Sequence, residues 1–155
     1  MDTGVIILNI LVSACLLGIN CRYDGKDNKV EEILSILEKH NIIPICPEQL
    51  GGLTTPREPS EIVNGKVMSK SGVDVNEEFE KGAEEALKLS KMFNSSIAIL
   101  KARSPSCGSI QVYDGNFNGS LIDGEGVTAR LFRENGIEIF DEEHLDELRI
   151  LLEKE

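Results

Sequence analysis

The sequence predicts an α/β fold: a single domain over residues 1–155, built as a Rossmann-like three-layer sandwich around a mostly parallel sheet. Two observations predict it. Short apolar runs (Asn9–Ala14, Ile42–Cys46, Ile97–Lys101 and Ile137–Phe140) alternate with segments of helical period, which is the signature of β-α-β units. A chain of 155 residues with 41% hydrophobic content is also long enough to bury a real core and shows no linker or repeat.

The elements follow in order. Asn9–Ala14 is an apolar strand that runs directly into Cys15. Glu31–His40 carries apolar residues at 33, 34, 36 and 37, one face of a helix. Ile42–Cys46 is the second strand. Pro47–Ser60 holds three prolines and two adjacent glycines, so it reads as a structured loop. Asn64–Gly65 between Ile62–Val63 and Val67–Met68 marks a small hairpin. Asn76 is placed to cap a helix that has Glu77 and Glu78 in its first turn, runs to Met92 and buries Phe79, Ala83, Ala86 and Leu87. After the strand Ile97–Lys101, Val112–Phe117 reads as a tight polar turn. Val127–Asn135 is a helix with Gly136 in the left-handed position that ends it. Ile137–Phe140 is the last strand, and Asp141 caps a final helix through Leu152.

Composition excludes several classes. The chain has 27 acidic against 16 basic residues, which disfavours a nucleic-acid backbone as partner. The apolar stretch Val5–Ile19 is too short and too interrupted for a membrane span and lacks a signal peptide's basic start. A cytoplasmic protein is expected, and there cysteines stay reduced and serve metals or catalysis more often than disulfides. A dinucleotide site is not indicated, because no G-x-G-x-x-G follows the first strand and there is no P-loop.

Three of the four cysteines lie at predicted strand ends: Cys15, Cys46, and Cys107 in the loop after Ile97–Lys101; Cys21 follows Cys15 by a short loop. In a parallel sheet these ends share one crevice, the usual ligand site of the architecture. Gathered thiols indicate a soft metal site. No C-x-x-C pair of a structural zinc site is present, and His40 and His144 fall away from this edge, as surface residues. Four thiolates binding zinc and three holding an iron–sulfur cluster with one open iron both remain compatible with the spacing. Glu48, just past Cys46–Pro47, is a candidate general acid or base, or the partner of Arg57 in an ion pair. Ser104 and Ser106 flank the cysteine loop, where they orient a substrate, transfer a proton or simply form the turn. Arg22, Arg57 and Arg103 bind an anion or pair with the surplus acids.

Four ordered blocks carry a resemblance: V-S-A-C-L-L-G-x-N-C-R-Y-D-G (Val12–Gly25), C-P-E-Q-L-G-G-L-x-T-P-R (Cys46–Arg57), K-A-R-S-P-S-C-G (Lys101–Gly108) and Y-D-G-x-F (Tyr113–Phe117). Together they resemble a family long labelled a domain of unknown function, whose members are now understood as thiouracil desulfidases. The match runs from about Ile10 to Phe140, and Met1–Ile7 are extra residues ahead of it. The resemblance implies a [4Fe–4S] cluster held by Cys15, Cys21 and Cys107, with Cys46 nearby and not a ligand. It implies Glu48 as catalytic acid/base and Ser104 as the active serine; Ser106 and Arg57 are the candidate substrate-binding residues. The implied reaction is non-redox: the sulfur of 2-thiouracil or a related thiolated pyrimidine binds the open iron, water attacks the carbon, and uracil and hydrogen sulfide leave. The partner is then a small thio-substrate, with oligomeric state left open. Two other functions stay in view: a desulfidase or sulfur transferase for another thio-compound, and a non-catalytic iron–sulfur or zinc-binding module.

Overall fold

The computed structural model describes residues 6–154. In chain order its elements are β1 (Asn9–Ser13), α1 (Glu31–Ile36), β2 (Asn41–Ile45), α2 (Pro47–Leu50), β3 (Ser60–Val63), β4 (Lys66–Ser69), α3 (Asn76–Met92), β5 (Ile97–Ile99), β6 (Gln111–Tyr113), β7 (Leu121–Asp123), α4 (Val127–Glu134), β8 (Glu138–Phe140) and α5 (Leu145–Lys154). Four strands form an all-parallel sheet in the order β2-β1-β5-β8. Side chains alternate across it, as a pleated strand requires. Ile10, Val12, Ile97 and Ile99 pack on one face with Ile33 of α1 and Leu148 of α5. Leu11, Ala98 and Leu100 pack on the other with Ala86 of α3 and Phe132 of α4. The expected α/β class, with a parallel sheet between helical layers, is therefore what forms. Burying each of the Val, Leu, Ile and Phe side chains among these contributes about 1.5–3 kcal/mol.

The strand order sets the site. The chain leaves β1 toward β2 on one side, and β5 then pairs with the other side of β1, with Val12 opposite both Pro44 and Ile99. Loops leaving the C-terminal ends of β1 and β5 part at this reversal and open a crevice. Pro44 is tolerated because β2 is the sheet edge.

Several local expectations need correction. Pro47–Leu50 is a helical turn inside the segment read as loop. Pro47 occupies its first turn, where a missing N–H costs nothing, so the residue taken as a breaker starts the element. The helix expected to reach His40 ends at Ile36, and the strand expected to start at Ile42 starts at Asn41. Asn76 is inside α3 and caps nothing: its Oδ1 accepts the Val67 N–H at 3.1 Å, which pins β4 to the helix. Asp141 does not cap α5, which starts at Leu145; its Oδ1 accepts the Glu143 N–H and meets His144 Nδ1. His40 is half-buried, its Nδ1 accepting the Leu8 N–H at 3.1 Å. Val112 and Tyr113 belong to a strand, β6, which pairs antiparallel with β7, while Asp114–Phe117 lie in the turn joining the two, so the turn read over Val112–Phe117 starts two residues later. The Asn64–Gly65 hairpin forms as expected, both turn residues having positive φ (51° and 82°) as a two-residue loop requires. Gly136 likewise takes φ 79° after α4. Of the extra N-terminal residues, 1–5 lie outside the described residues, and Ile6 and Ile7 are exposed.

Candidate active site

A cleft of about 520 Å³ opens at the C-terminal edge of the sheet. All four cysteines, Glu48 and Ser104 line it. The four thiols are free, with no disulfide among them.

Cys15 lies in a turn of 3₁₀ helix directly after β1, closed by Gly18 at φ 97°. Its carbonyl accepts the Asn28 N–H at 2.9 Å, which folds the loop back so that Cys21 returns beside it. Cys46 Sγ donates to the Cys21 carbonyl at 4.0 Å. The neighbouring Cys15 and Cys46 thiols raise Cys21 well above the ordinary thiol range. Cys21 in turn lowers them: Cys15 falls, and Cys46 falls to about 7. Cys107 stands apart, pushed up to about 12 by burial.

The Cys107 loop is held by backbone. Arg103 adopts φ 68°, and a Cβ on Gly108 would lie 2.9 Å from the Ser104 carbonyl oxygen, so only glycine fits there. Ser104 Oγ accepts the N–H groups of Ser106 and Cys107, both at 3.0 Å. With its lone pairs engaged, the Ser104 hydroxyl keeps its proton to donate. Ser106 is fully buried; its Oγ is 2.8 Å from Thr128 Oγ1 on α4 and it does not line the cleft. Its carbonyl accepts the Thr128 N–H at 2.8 Å, tying the loop to the start of α4.

Glu48 projects from α2. Its Oε2 accepts a hydrogen bond from Arg57 Nη2 at 3.1 Å, and the same nitrogen donates to the Cys21 carbonyl at 2.9 Å. Arg57 Nη1 is held by Thr55 Oγ1 and the Thr54 carbonyl. The Arg57 side chain is only 8% exposed and does not line the cleft; it clamps Glu48 to the cysteine loop from behind. Arg22 and Arg103 pair with Asp24 and Glu143, so the surplus acids take both.

Sequence reading missed Ser13 and Glu142. Ser13, buried at the end of β1, donates to Cys107 Sγ at 3.6 Å and accepts the Lys101 N–H at 2.9 Å, joining the two loops of the crevice. A hydroxyl closing the run Ile10–Leu11–Val12 was its signal. Glu142 binds Lys101 Nζ at 2.7 Å and the Ala102 N–H at 2.8 Å across forty residues, which no local pattern announces.

The 2-thiouracil desulfurase family matches residues 10–144. The chain belongs to the 2-thiouracil desulfurase family. Among curated proteins it is 42% identical over 149 residues to the uncharacterised protein YbbK of Bacillus subtilis (strain 168), covering 90% of this chain and 99% of the relative. Among solved structures it resembles a [4Fe–4S]-dependent thiouracil desulfidase, TudS, at 42% identity and a TM-score of 0.87, covering 96% of this desulfurase-family chain and 99% of the other. No helix among the described residues is long and apolar enough to cross a membrane.

Proposed function

We propose that this protein, acting as a single-domain cytoplasmic enzyme, removes sulfur from 2-thiouracil or a related thiolated pyrimidine by hydrolytic C–S cleavage, giving uracil and hydrogen sulfide. One observation carries the reading: four free thiols, a glutamate and a serine converge in one cleft of a chain 42% identical to a [4Fe–4S]-dependent thiouracil desulfidase. The acidic chain fits a small substrate better than a nucleic acid.

The donor set fits an iron–sulfur cluster. Thiolates are its normal ligands, and no histidine is among the residues described as lining the cleft. Cys15, Cys21 and Cys107 would hold the cluster, with Cys46 beside Cys21 as a non-ligand. Bound by three cysteines, a [4Fe–4S] cluster supplies one iron free of protein, a soft Lewis acid suited to a thiocarbonyl sulfur.

The protein's own groups supply the rest. Arg57 holds Glu48 by Oε2, which leaves Oε1 to take a proton from water and deliver it to the departing sulfur. Ser104, with its oxygen occupied by two N–H groups, keeps its hydroxyl proton and donates it in a hydrogen bond to the substrate. Arg57 and Ser106 assist binding from behind, Arg57 by fixing Glu48 and Ser106 by anchoring the Cys107 loop to Thr128. The overall change, water in and hydrogen sulfide out, needs no net electron transfer.

Reconstitution with iron and sulfide without oxygen tests this. A brown protein with about four irons that releases sulfide from 2-thiouracil is expected. The same iron content without sulfide from any thio-compound would favour a non-catalytic module. Serine replacement of Cys15, Cys21 or Cys107 is expected to abolish iron retention, and Cys46→Ser to keep it. Loss of iron in Cys46→Ser, with retention in any one of the others, would replace this ligand set.

A further inference from the structure

The block Tyr113–Phe117 plays no part in the chemistry above, yet Tyr113 and Phe117 line the same cleft as the cysteines. Their placement is enforced from another hairpin. Glu61, a buried residue of β3, presents a single carboxyl oxygen, Oε1, to two backbone N–H groups: Gly115 at 2.9 Å and Phe117 at 3.1 Å. Gly115 sits so close to β3 that a Cβ there would lie 2.6 Å from the Ile62 carbonyl oxygen. Asp114 Oδ1 accepts the Asn116 N–H at 2.9 Å and tightens the turn further.

Phe117 is left with φ 53°. A bulky side chain is rarely found there, and it persists only where its surroundings over-determine it, which is typical of ligand sites. The Glu61 bond to its own N–H is that determinant. The aromatic residues lining the cleft are Tyr23, Tyr113 and Phe117. The Arg22 guanidinium lies over the Tyr23 ring, 5.9 Å from its centroid, and Tyr113 carries a polar hydroxyl on a strand residue whose backbone pairs with Leu121 of β7. Phe117, on the turn and half-buried, is the purely apolar ring of the three.

We propose that Phe117 is the platform on which the flat face of the substrate heterocycle stacks, and that Glu61 is the positioning residue that holds it there. The proposal deepens the reading as a thiopyrimidine enzyme and rests on it. A thiolated pyrimidine has a flat, weakly polar face, and base–aromatic stacking fixes such a ring without reading its edge. The thiocarbonyl edge is then free for the thiol side of the cleft.

The test uses iron-reconstituted protein, with sulfide release giving KM and kcat for 2-thiouracil and calorimetry giving the affinity for uracil. Phe117→Leu is expected to raise KM and weaken uracil binding roughly ten-fold each, with a smaller change in kcat. Phe117→Tyr, which keeps the ring, restores most of the affinity. Glu61→Ala is expected to reproduce the Phe117→Leu defect, whereas Glu61→Gln, whose amide oxygen still accepts both N–H groups, is expected to bind uracil nearly as well as the parent. Unchanged affinity in Phe117→Leu, or a comparable loss in Tyr23→Leu or Tyr113→Leu instead, would overturn the platform. A parent protein that binds uracil through Phe117 but releases no sulfide would overturn the desulfidase reading alone. A parent that binds neither base would overturn both.

Discussion

Glu48→Ala protein is expected to retain the iron content and brown colour of the parent while desulfurising 2-thiouracil about 10²- to 10⁴-fold more slowly, the usual contribution of a positioned acid/base. The separation of the two properties follows from where Glu48 sits. It is carried by α2, a turn that contributes no thiol, and its hydrogen bonding toward the cysteine loop runs through Arg57. Removing the carboxylate leaves Arg57 with its bonds to the Cys21 carbonyl, the Thr54 carbonyl and Thr55 Oγ1, so the clamp on the loop persists. Losing one charged hydrogen bond costs about 1.5–3 kcal/mol of stability, which is a moderate effect beside the rate loss. Glu48→Gln keeps the acceptor for Arg57 and removes the proton-accepting oxygen, so it is expected to be as inactive as the alanine variant and closer to the parent in stability. Iron loss in step with activity, or an active Glu48→Gln protein, would remove Glu48 from the chemistry. Iron per chain, the visible spectrum and sulfide release decide it.

What sequence could and could not foresee divides along the range of the interactions. Apolar runs ending in Cys15 and Cys46, and the Asn64–Gly65 turn, are local signals, and the structure places them as expected. The crevice follows because the topology of a parallel sheet forces strand ends together, whatever the residues between. Caps were read less well. Asn76 and Asp141 are the right residue types at helix starts, yet each side chain bonds a different backbone group than its own helix end offers. The hairpin of β6 and β7 escaped because Leu121, Ile122 and Asp123 are all exposed and show no buried face to give an alternating pattern. The Glu61 bonds to Gly115 and Phe117 bridge 54 and 56 residues, so nothing local in either segment reveals them. The bond from Cys46 Sγ to the Cys21 carbonyl is also a tertiary outcome, joining the loop after β1 to the start of α2 across 25 residues.

Gly82→Ala is expected to destabilise the protein by about 1–3 kcal/mol and to lower desulfidase activity beyond what the loss of folded protein explains. Intrinsic preference argues the other way: alanine in the interior of an exposed helix is favoured over glycine by about 0.5–1 kcal/mol. The position of Gly82 reverses the sign. It lies in α3 against the start of α2, where an added Cβ would stand 1.9 Å from the Pro47 carbonyl oxygen. Gly51 mirrors it, its Cβ meeting the Glu78 carbonyl oxygen at 1.9 Å. Neither glycine has a positive φ, so the demand is for space and not for backbone freedom. The obstructing atoms are backbone on both sides, and no rotamer change clears them; the two elements must move apart. The motion falls on α2, a turn of four residues, which carries Glu48 one residue after Pro47. Displacing it shifts the carboxylate relative to Arg57 and the cleft, and misplacement of about 1 Å can cost a hundred-fold in rate. Urea unfolding measures the first effect and sulfide release per folded, iron-loaded chain the second. A Gly82→Ala protein as stable and active as the parent would show that α2 is not held by this contact, and that Glu48 depends on Arg57 alone for its place.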